Sequence, residues 1–501
     1  MRLRTVWLPL IAAAGPMLVQ AQFTYTTNNG TITIVQYTGP GGAVVIPDTI
    51  NGLKVTTVGS QAFFQVNTMM SLTFGANVTT ILQNAVFQCA GLTTVTIPQS
   101  VTNIGDGPFV DCKALTTMSL TGSNAFYVVT NGALCNKSQR YLIEYPGGVG
   151  GSYTISDIVT NAGEAFIGNS LTSIAVNPAN PVYASTNGVL FDKNFTQLIA
   201  YPGGAAGSYT VPNKVSTVVS ASFEFSTGVT SVTMGTNVTN IGYSAFYDSS
   251  ALTSITVNSN NAFYSTTNGV LYDKTKTVLI QYPSGLPGTY VIPDTVSNIS
   301  DGAFGDAFGL TSVVIPNGVT NIGVEAFYSC INLSSVTLGA NVRTIQQAAF
   351  FYCPALQSIV FPASLTNLGF EAFAGCLYLT NACFEGNAPT DGGNVFFFER
   401  TLTQILHVNG TTGWGATFDG ILTAPCTTCG GGPAPTLAIT ESGPNVVVTW
   451  PSTFAGYTLQ STTNLPSPSW NAVSPSPVVV GSLFTVTNTA SGGATFYRLK
   501  H

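Results

Sequence analysis

The sequence predicts a β-rich α/β solenoid followed by a small β-domain. Three observations point there. A hydrophobic pattern returns every 23 residues along most of the chain. Short β-branched runs with alternating apolar and polar residues recur within each period. Only 7% of the 501 residues are charged, while 45% are hydrophobic and 52 are glycine. A typical soluble domain carries about 25% charged residues. The chain therefore buries a large core and keeps a surface rich in Thr, Ser and Asn.

The repeat is clearest between Ile299 and Leu379. Ile299, Ile322, Ile345 and Leu368 are spaced by 23, as are Phe304, Phe327, Phe350 and Phe373. Cys330, Cys353 and Cys376 keep the step, and so do Leu310, Leu333, Leu356 and Leu379. The unit reads L-x-x-V-x-I-P-x-x-V-T-N-I-G-x-x-A-F-x-x-C. Its first part, such as Leu333-Ser-Ser-Val-Thr-Leu338, is a strand by alternation and β-branching. Val-Thr-Asn-Ile is a second short extended piece. Ala326-Phe327-Tyr328-Ser329-Cys330 has better helix formers and predicts one helical turn on the opposite side. One unit cannot bury its apolar face alone, but units stacked about 4.8 Å apart can.

This repeat resembles the BspA-like, or Treponema pallidum-type, leucine-rich repeats over residues 58–379, in period, aromatic position and Cys position. The resemblance implies a right-handed solenoid with a parallel sheet on its concave side. It also implies binding or adhesion outside the cell, with varied host proteins as ligands. It carries no set of ligand residues.

The elements follow in chain order. Residues 1–21 read as a secretory signal, with Arg2 and Arg4, an apolar stretch from Val6 to Val19, and a cut after Ala21. Residues 22–57 read as a β cap built on a hairpin around Asn28-Asn29-Gly30. Residues 58–379 are the solenoid. Three units carry insertions, at about 124–150, 180–206 and 261–287, each with an Asn-Gly turn and a Tyr-Pro 13 residues after that glycine. They read as β-hairpins, either recognition flaps or elaborated repeats that extend the core. Residues 380–425 form a C-terminal cap, and 426–435 a Cys/Gly/Pro linker. Residues 436–501 hold short strands at sandwich-like spacing and resemble a fibronectin- or immunoglobulin-like β-domain.

Composition excludes several functions. The formal net charge is −6, from 20 acids and 14 bases, so no basic surface exists to neutralise nucleic acid. His407 and His501 are the only histidines, and the second is the last residue of the sequence, so neither a His-based triad nor a multi-His metal site is expected. No GxSxG elbow, strict GxGxxG or Gly-Lys phosphate loop occurs. Beyond the signal, no apolar run is long enough to span a membrane. Glu325 and Glu371 precede Ala-Phe in equivalent units and read as scaffold rather than as a glycosidase pair. No cofactor and no catalytic residue is expected.

Two features are candidates for function. Cys89, Cys112, Cys330, Cys353 and Cys376 share one repeat position and are expected to be buried, unbonded thiols. Cys426 and Cys429 lie in the linker and are expected to form a disulfide. A zinc site there would need Cys383 and His407 as well, and is not expected. The second feature is the outward strand positions Ser71, Thr73, Thr94, Thr96, Thr117, Ser119, Ser231, Thr233, Ser254, Thr256, Ser335 and Thr337. Side chains alternate along a strand, so these hydroxyls share the face opposite Leu, Val and Ile. They form an uncharged candidate ligand face, interrupted by Val314 and Val360. Threonine also favours exposed strand positions for structural reasons alone. The expected role is non-catalytic binding of an extracellular protein or polysaccharide. A polysaccharide-degrading enzyme on a β-solenoid and a purely structural envelope component are the alternatives.

Overall fold

The computed structural model describes residues 22–399, 401–429, 437–442, 445–451, 458–463, 470–474, 477–480, 483–489 and 495–500. The expected export signal and residues 430–435 of the expected linker lie outside them. The described chain forms two compact units. One contains the residues up to Ala206 with Lys214–Val229 and Asn240–Ala245; the other contains Gly207–Asn213, Thr230–Thr239 and the residues from Phe246 on.

Both units are parallel β-solenoids. In the first, Gly42–Val45, Met69–Thr73, Thr94–Ile97 and Thr117–Leu120 form one parallel sheet. Its register follows the repeat, with Thr94 opposite both Ser71 and Thr117. Leu72, Val95 and Met118 point inward and are buried. A second parallel ladder joins Leu53–Val58, Thr80–Ile81 and Asn103–Ile104, and buries Val58, Ile81 and Ile104. Equal units stacked in register place apolar on apolar, so each buried row is a column of hydrophobic side chains.

The second unit has the most regular column. Phe304, Phe327, Phe350 and Phe373 stack with centroids 4.5, 4.8 and 4.9 Å apart and interplanar angles of 14°, 3° and 8°. The rings thus repeat at the strand spacing itself.

The expected helical turn at Ala-Phe-x-x-Cys is absent, and the α/β assignment is corrected to an almost purely β fold. The 3-10 turn Glu164–Phe166 is the one helix among the described residues. The competing interaction is a hydrogen bond to the next layer: Phe304 N, Phe327 N and Phe350 N each donate to the alanine carbonyl one unit on, at 2.7 Å. Residues such as Glu325 (φ 54°), Ser329 (φ 54°), Ala348 (φ 52°) and Tyr352 (φ 55°) adopt left-handed backbone around these bonds. Left-handed backbone costs a non-glycine residue about 1–2 kcal/mol, which the repeated interlayer bonds offset.

Cysteine at the end of this turn has a matching role. The Sγ atoms of Cys330, Cys353 and Cys376 donate to the carbonyls of Phe304, Phe327 and Phe350 in the preceding layer, at 3.1, 3.2 and 3.3 Å. These thiols, with Cys89 and Cys112, are unbonded and buried.

The three insertions are elaborated repeats. Each is a three-stranded antiparallel sheet, for example Tyr183–Thr186, Val189–Asp192 and Gln197–Ala200. The turn residues Asn187 (φ 51°) and Gly188 (φ 77°) both have positive φ, as a type I′ turn requires. The third strand rejoins the parallel ladder, with Leu198 opposite Val218 and, in the other unit, Leu279 opposite Ile299. The tyrosine of Tyr-Pro then takes the place of the repeat phenylalanine. Tyr201 stacks on Phe223 at 4.9 Å and Tyr282 on Phe304 at 4.9 Å.

At the ends, Phe23–Asn28 and Thr31–Tyr37 form an antiparallel hairpin whose second strand pairs parallel with Leu53–Val58. In the second unit, Asn381–Phe384, Gln404–Val408 and Ile421–Cys426 extend the parallel sheet, and Thr417–Phe418 closes it antiparallel. From Ala438 to Lys500 the described strands form two antiparallel sheets, with Val448, Trp450, Leu459 and Val486 as a separate core cluster.

Candidate ligand-binding face

The twelve predicted hydroxyl residues fall on three sheets. Ser71, Thr73, Thr94, Thr96, Thr117 and Ser119 share one sheet of the first unit. In the second unit, Ser231, Thr233, Ser254 and Thr256 share another, and Ser335 and Thr337 belong to a third. Each pairs with its equivalent one layer away, as in Thr96 with Thr73 and Ser119. The single continuous sheet expected from the resemblance is therefore divided. The hairpins divide it, because Gly269 O accepts from Ile255 N at 2.8 Å and occupies that sheet edge.

Thr117 and Thr256 are exposed and the other ten are half-buried. Ser119 Oγ donates to Thr96 Oγ1 at 3.2 Å, and Thr233 and Thr256 share a hydrogen bond of 2.8 Å. The remaining eight hydroxyls make no hydrogen bond among the described residues. Ser254 is crowded by its own hairpin, since a Cβ on Gly269 would meet Ser254 Oγ at 3.1 Å. Toward the C-terminal end the same row becomes apolar: Thr337 faces Val314, and Val360, Cys383 and Leu406 continue it.

A neighbouring threonine row is structural. Thr93, Thr253 and Thr380 turn their hydroxyls onto the backbone carbonyls of Met70, Thr230 and Gln357, at 2.8, 3.2 and 3.1 Å. They sit one position before the outward pairs, and the repeat alone did not separate the two roles.

The carboxylates have structural places. Glu325 and Glu371 sit at left-handed turn positions. Glu144 is fully buried on the third strand of the first hairpin, accepts from Phe109 N at 3.2 Å, and burial pushes its carboxyl well above the usual range. Asp111 is raised to about 6 by burial, against the opposing pull of Lys113 at 3.1 Å. A concavity of about 310 Å³ in the first unit is bordered by Asp106, Tyr141, Glu164, Tyr201 and Glu224. Burial, and then the nearby Asp106, raise the Glu164 carboxyl. No sequence pattern marked this place.

The expected Cys426–Cys429 bridge is not formed; Cys429 is bonded to Cys383. Cys426 is held in the sheet opposite Val408, whereas Cys429 lies past the strand end, where the chain turns back over Cys383. His407 takes no part. It stacks on Trp414 at 5.0 Å and 7°, and its Nδ1 shares a hydrogen bond with Thr411.

The repeat also matches a known family. Residues 44–146, 205–288 and 282–403 match the BspA type leucine rich repeat region, in 6 copies. No curated protein matches. Among solved structures, the chain is similar to a leucine rich cell surface protein from Faecalibacterium prausnitzii, with 24% identity over 78% of this chain and 94% of that one and a TM-score of 0.40. It is also similar to the pneumococcal vaccine antigen PcpA, with 16% identity over 77% and 86% and a TM-score of 0.34. A leucine rich repeat protein of T. pallidum matches with 16% identity over 72% and 88% and a TM-score of 0.17. The family match spans more than half of the chain, on the same repeat whose layers build both units: the chain belongs to the BspA type leucine rich repeat family.

Proposed function

We propose that this chain is an exported, non-catalytic binding protein that takes an extracellular protein or polysaccharide on its hydroxyl-bearing sheet faces. The carrying observation is the eight in-register hydroxyls that make no hydrogen bond among the described residues, on strands without a charged side chain. An uncharged array of donors and acceptors suits many weak hydrogen bonds to glycan hydroxyls or peptide groups. Family membership supports the binding role, and the segment 1–21 supports export. In this reading the C-terminal strands are an attachment or spacer module.

The test is retention of residues 22–501 on insoluble polysaccharides and on immobilised matrix glycoproteins. Saturable retention on one of them is expected. Thr94→Lys, Thr96→Lys, Thr233→Lys and Thr256→Lys together should abolish it, with stability changed by no more than about 0.5 kcal/mol per site. Retention unchanged by the four lysines removes the first two of the three sheet faces as the site. Release of reducing or unsaturated sugar ends would replace the binding role with an enzymatic one.

A further inference from the structure

Three sulfurs meet at the C-terminal end of the second unit. Cys383, in the strand Asn381–Phe384, projects from the face that carries hydroxyls elsewhere, and is buried. Its strand neighbour across the ladder is Leu406, and beyond that Ala424. Cys426 lies two residues after Ala424, on the same face by strand alternation. Its Sγ stands 3.7 Å from Cys383 Sγ, while Cys429 is bonded to Cys383. The three sulfurs lie within 4.8 Å of one another. Cys426 and Cys429 are both partly exposed, so one buried sulfur has two accessible competitors. The other unbonded cysteines are all buried. A metal would need the disulfide reduced and a fourth ligand, and His407 is engaged with Trp414 and Thr411.

We propose that Cys383, Cys426 and Cys429 form a thiol–disulfide exchange site, with Cys383 as the shared sulfur and the other two as alternating partners. The Cys426 thiolate attacks Cys383 Sγ, the Cys383–Cys429 bond breaks, and its electron pair leaves on Cys429 Sγ. Cys429 takes up the proton that Cys426 gave up. One disulfide and one thiol exist before and after, so no oxidant or reductant enters. The exchange moves the accessible thiol from Cys426 to Cys429, which stands directly before Gly430-Gly431-Gly432 in the sequence.

The full chain, purified without reductant, is quenched in acid, denatured and alkylated with N-ethylmaleimide, and its cross-links are read by tandem mass spectrometry. The wild type should show both Cys383–Cys429 and Cys383–Cys426, with the label divided between Cys426 and Cys429. Cys429→Ser should carry Cys383–Cys426 quantitatively, and Cys426→Ser should carry Cys383–Cys429. A wild type labelled at Cys426 alone would overturn the proposal. So would Cys429→Ser with Cys383 and Cys426 both alkylated, or a wild type linked Cys426–Cys429 with Cys383 labelled.

Discussion

The block from Ile299 to Leu379 and the stretch from Ile104 to Val218 use one repeat in two ways. In the block no hairpin interrupts the ladder of two-residue strands, and each of its layers meets the backbone groups of its neighbours. Asn298–Ile299, Asn321–Ile322, Thr344–Ile345 and Asn367–Leu368 pair without a break, beside the phenylalanine stack. In the stretch, two hairpins cut the ladder, and side chains replace the missing backbone partners. Ile104 N donates to Tyr127 Oη at 2.8 Å, and Ala162 N to Tyr183 Oη at 3.1 Å. Asn180 is fully buried and uses both ends of its amide. Its Nδ2 donates to Ser156 O and Val159 O at 2.7 and 2.8 Å. Its Oδ1 accepts from Val182 N and Tyr183 N at 2.9 and 2.8 Å. Lys193 Nζ then donates to Asn180 O at 2.6 Å. Asn124 with Lys137, and Asn261 with Lys274, repeat the arrangement. Regular repeats satisfy their backbone by periodicity, whereas an insertion needs a buried polar plug to do so.

Three substitutions sharpen this contrast, in order of expected effect. Phe350→Ala empties the middle of a close-stacked column and should cost about 3–5 kcal/mol in urea unfolding. A cost below about 1 kcal/mol would mean that the stack is not a packed core. Asn180→Ala should cost at least about 2 kcal/mol, because two carbonyls and two N–H groups lose their partner together. The exposed Asn341→Ala in the regular block should stay within about 0.5 kcal/mol. Equal losses at the two positions would erase the distinction between plug and surface.

The smallest effect concerns pH. Glu144 stands before Tyr145 where the third insertion has Gln281 before Tyr282, and burial pushes the Glu144 carboxyl well above the usual range. Its folded pKa is raised above the unfolded value. The native state therefore holds a proton that the unfolded chain releases, and stability falls as pH rises from the ordinary carboxylate range through the folded pKa. Glu144→Gln should flatten the dependence of the melting temperature on pH above the ordinary carboxylate range and raise the melting temperature at alkaline pH. Parallel curves for the two proteins would show that Glu144 is not held protonated.

Much of the fold was legible because the repeat is a one-dimensional code. Period, strand positions, buried columns and thiol ladder all follow from residues that recur at one offset. The helical turn was misread because Ala-Phe-Tyr-Ser-Cys favours helix locally, while the deciding bonds run to a segment 23 residues away. The hydroxyl rows were found by alternation, but not which threonines bind backbone, since Thr93 and Thr94 differ only in which way they point. The cysteine pairing was misread for the same reason. Cys426 and Cys429 are neighbours in sequence, but Cys383 reaches them only through two intervening strand pairings.

The sequence by itself determined the period, the repeat solenoid, the inward and outward faces of each strand and the uncharged character of the surface. These depend on local alternation and on composition, which need no knowledge of distant neighbours. Only the tertiary structure decided that the turns are left-handed and bonded to the next layer rather than helical, that the hairpins break the sheet into separate patches, and which sulfur meets which. Each of those outcomes is settled by contacts between layers, where a donor at one end of the unit finds its acceptor one full turn of chain away.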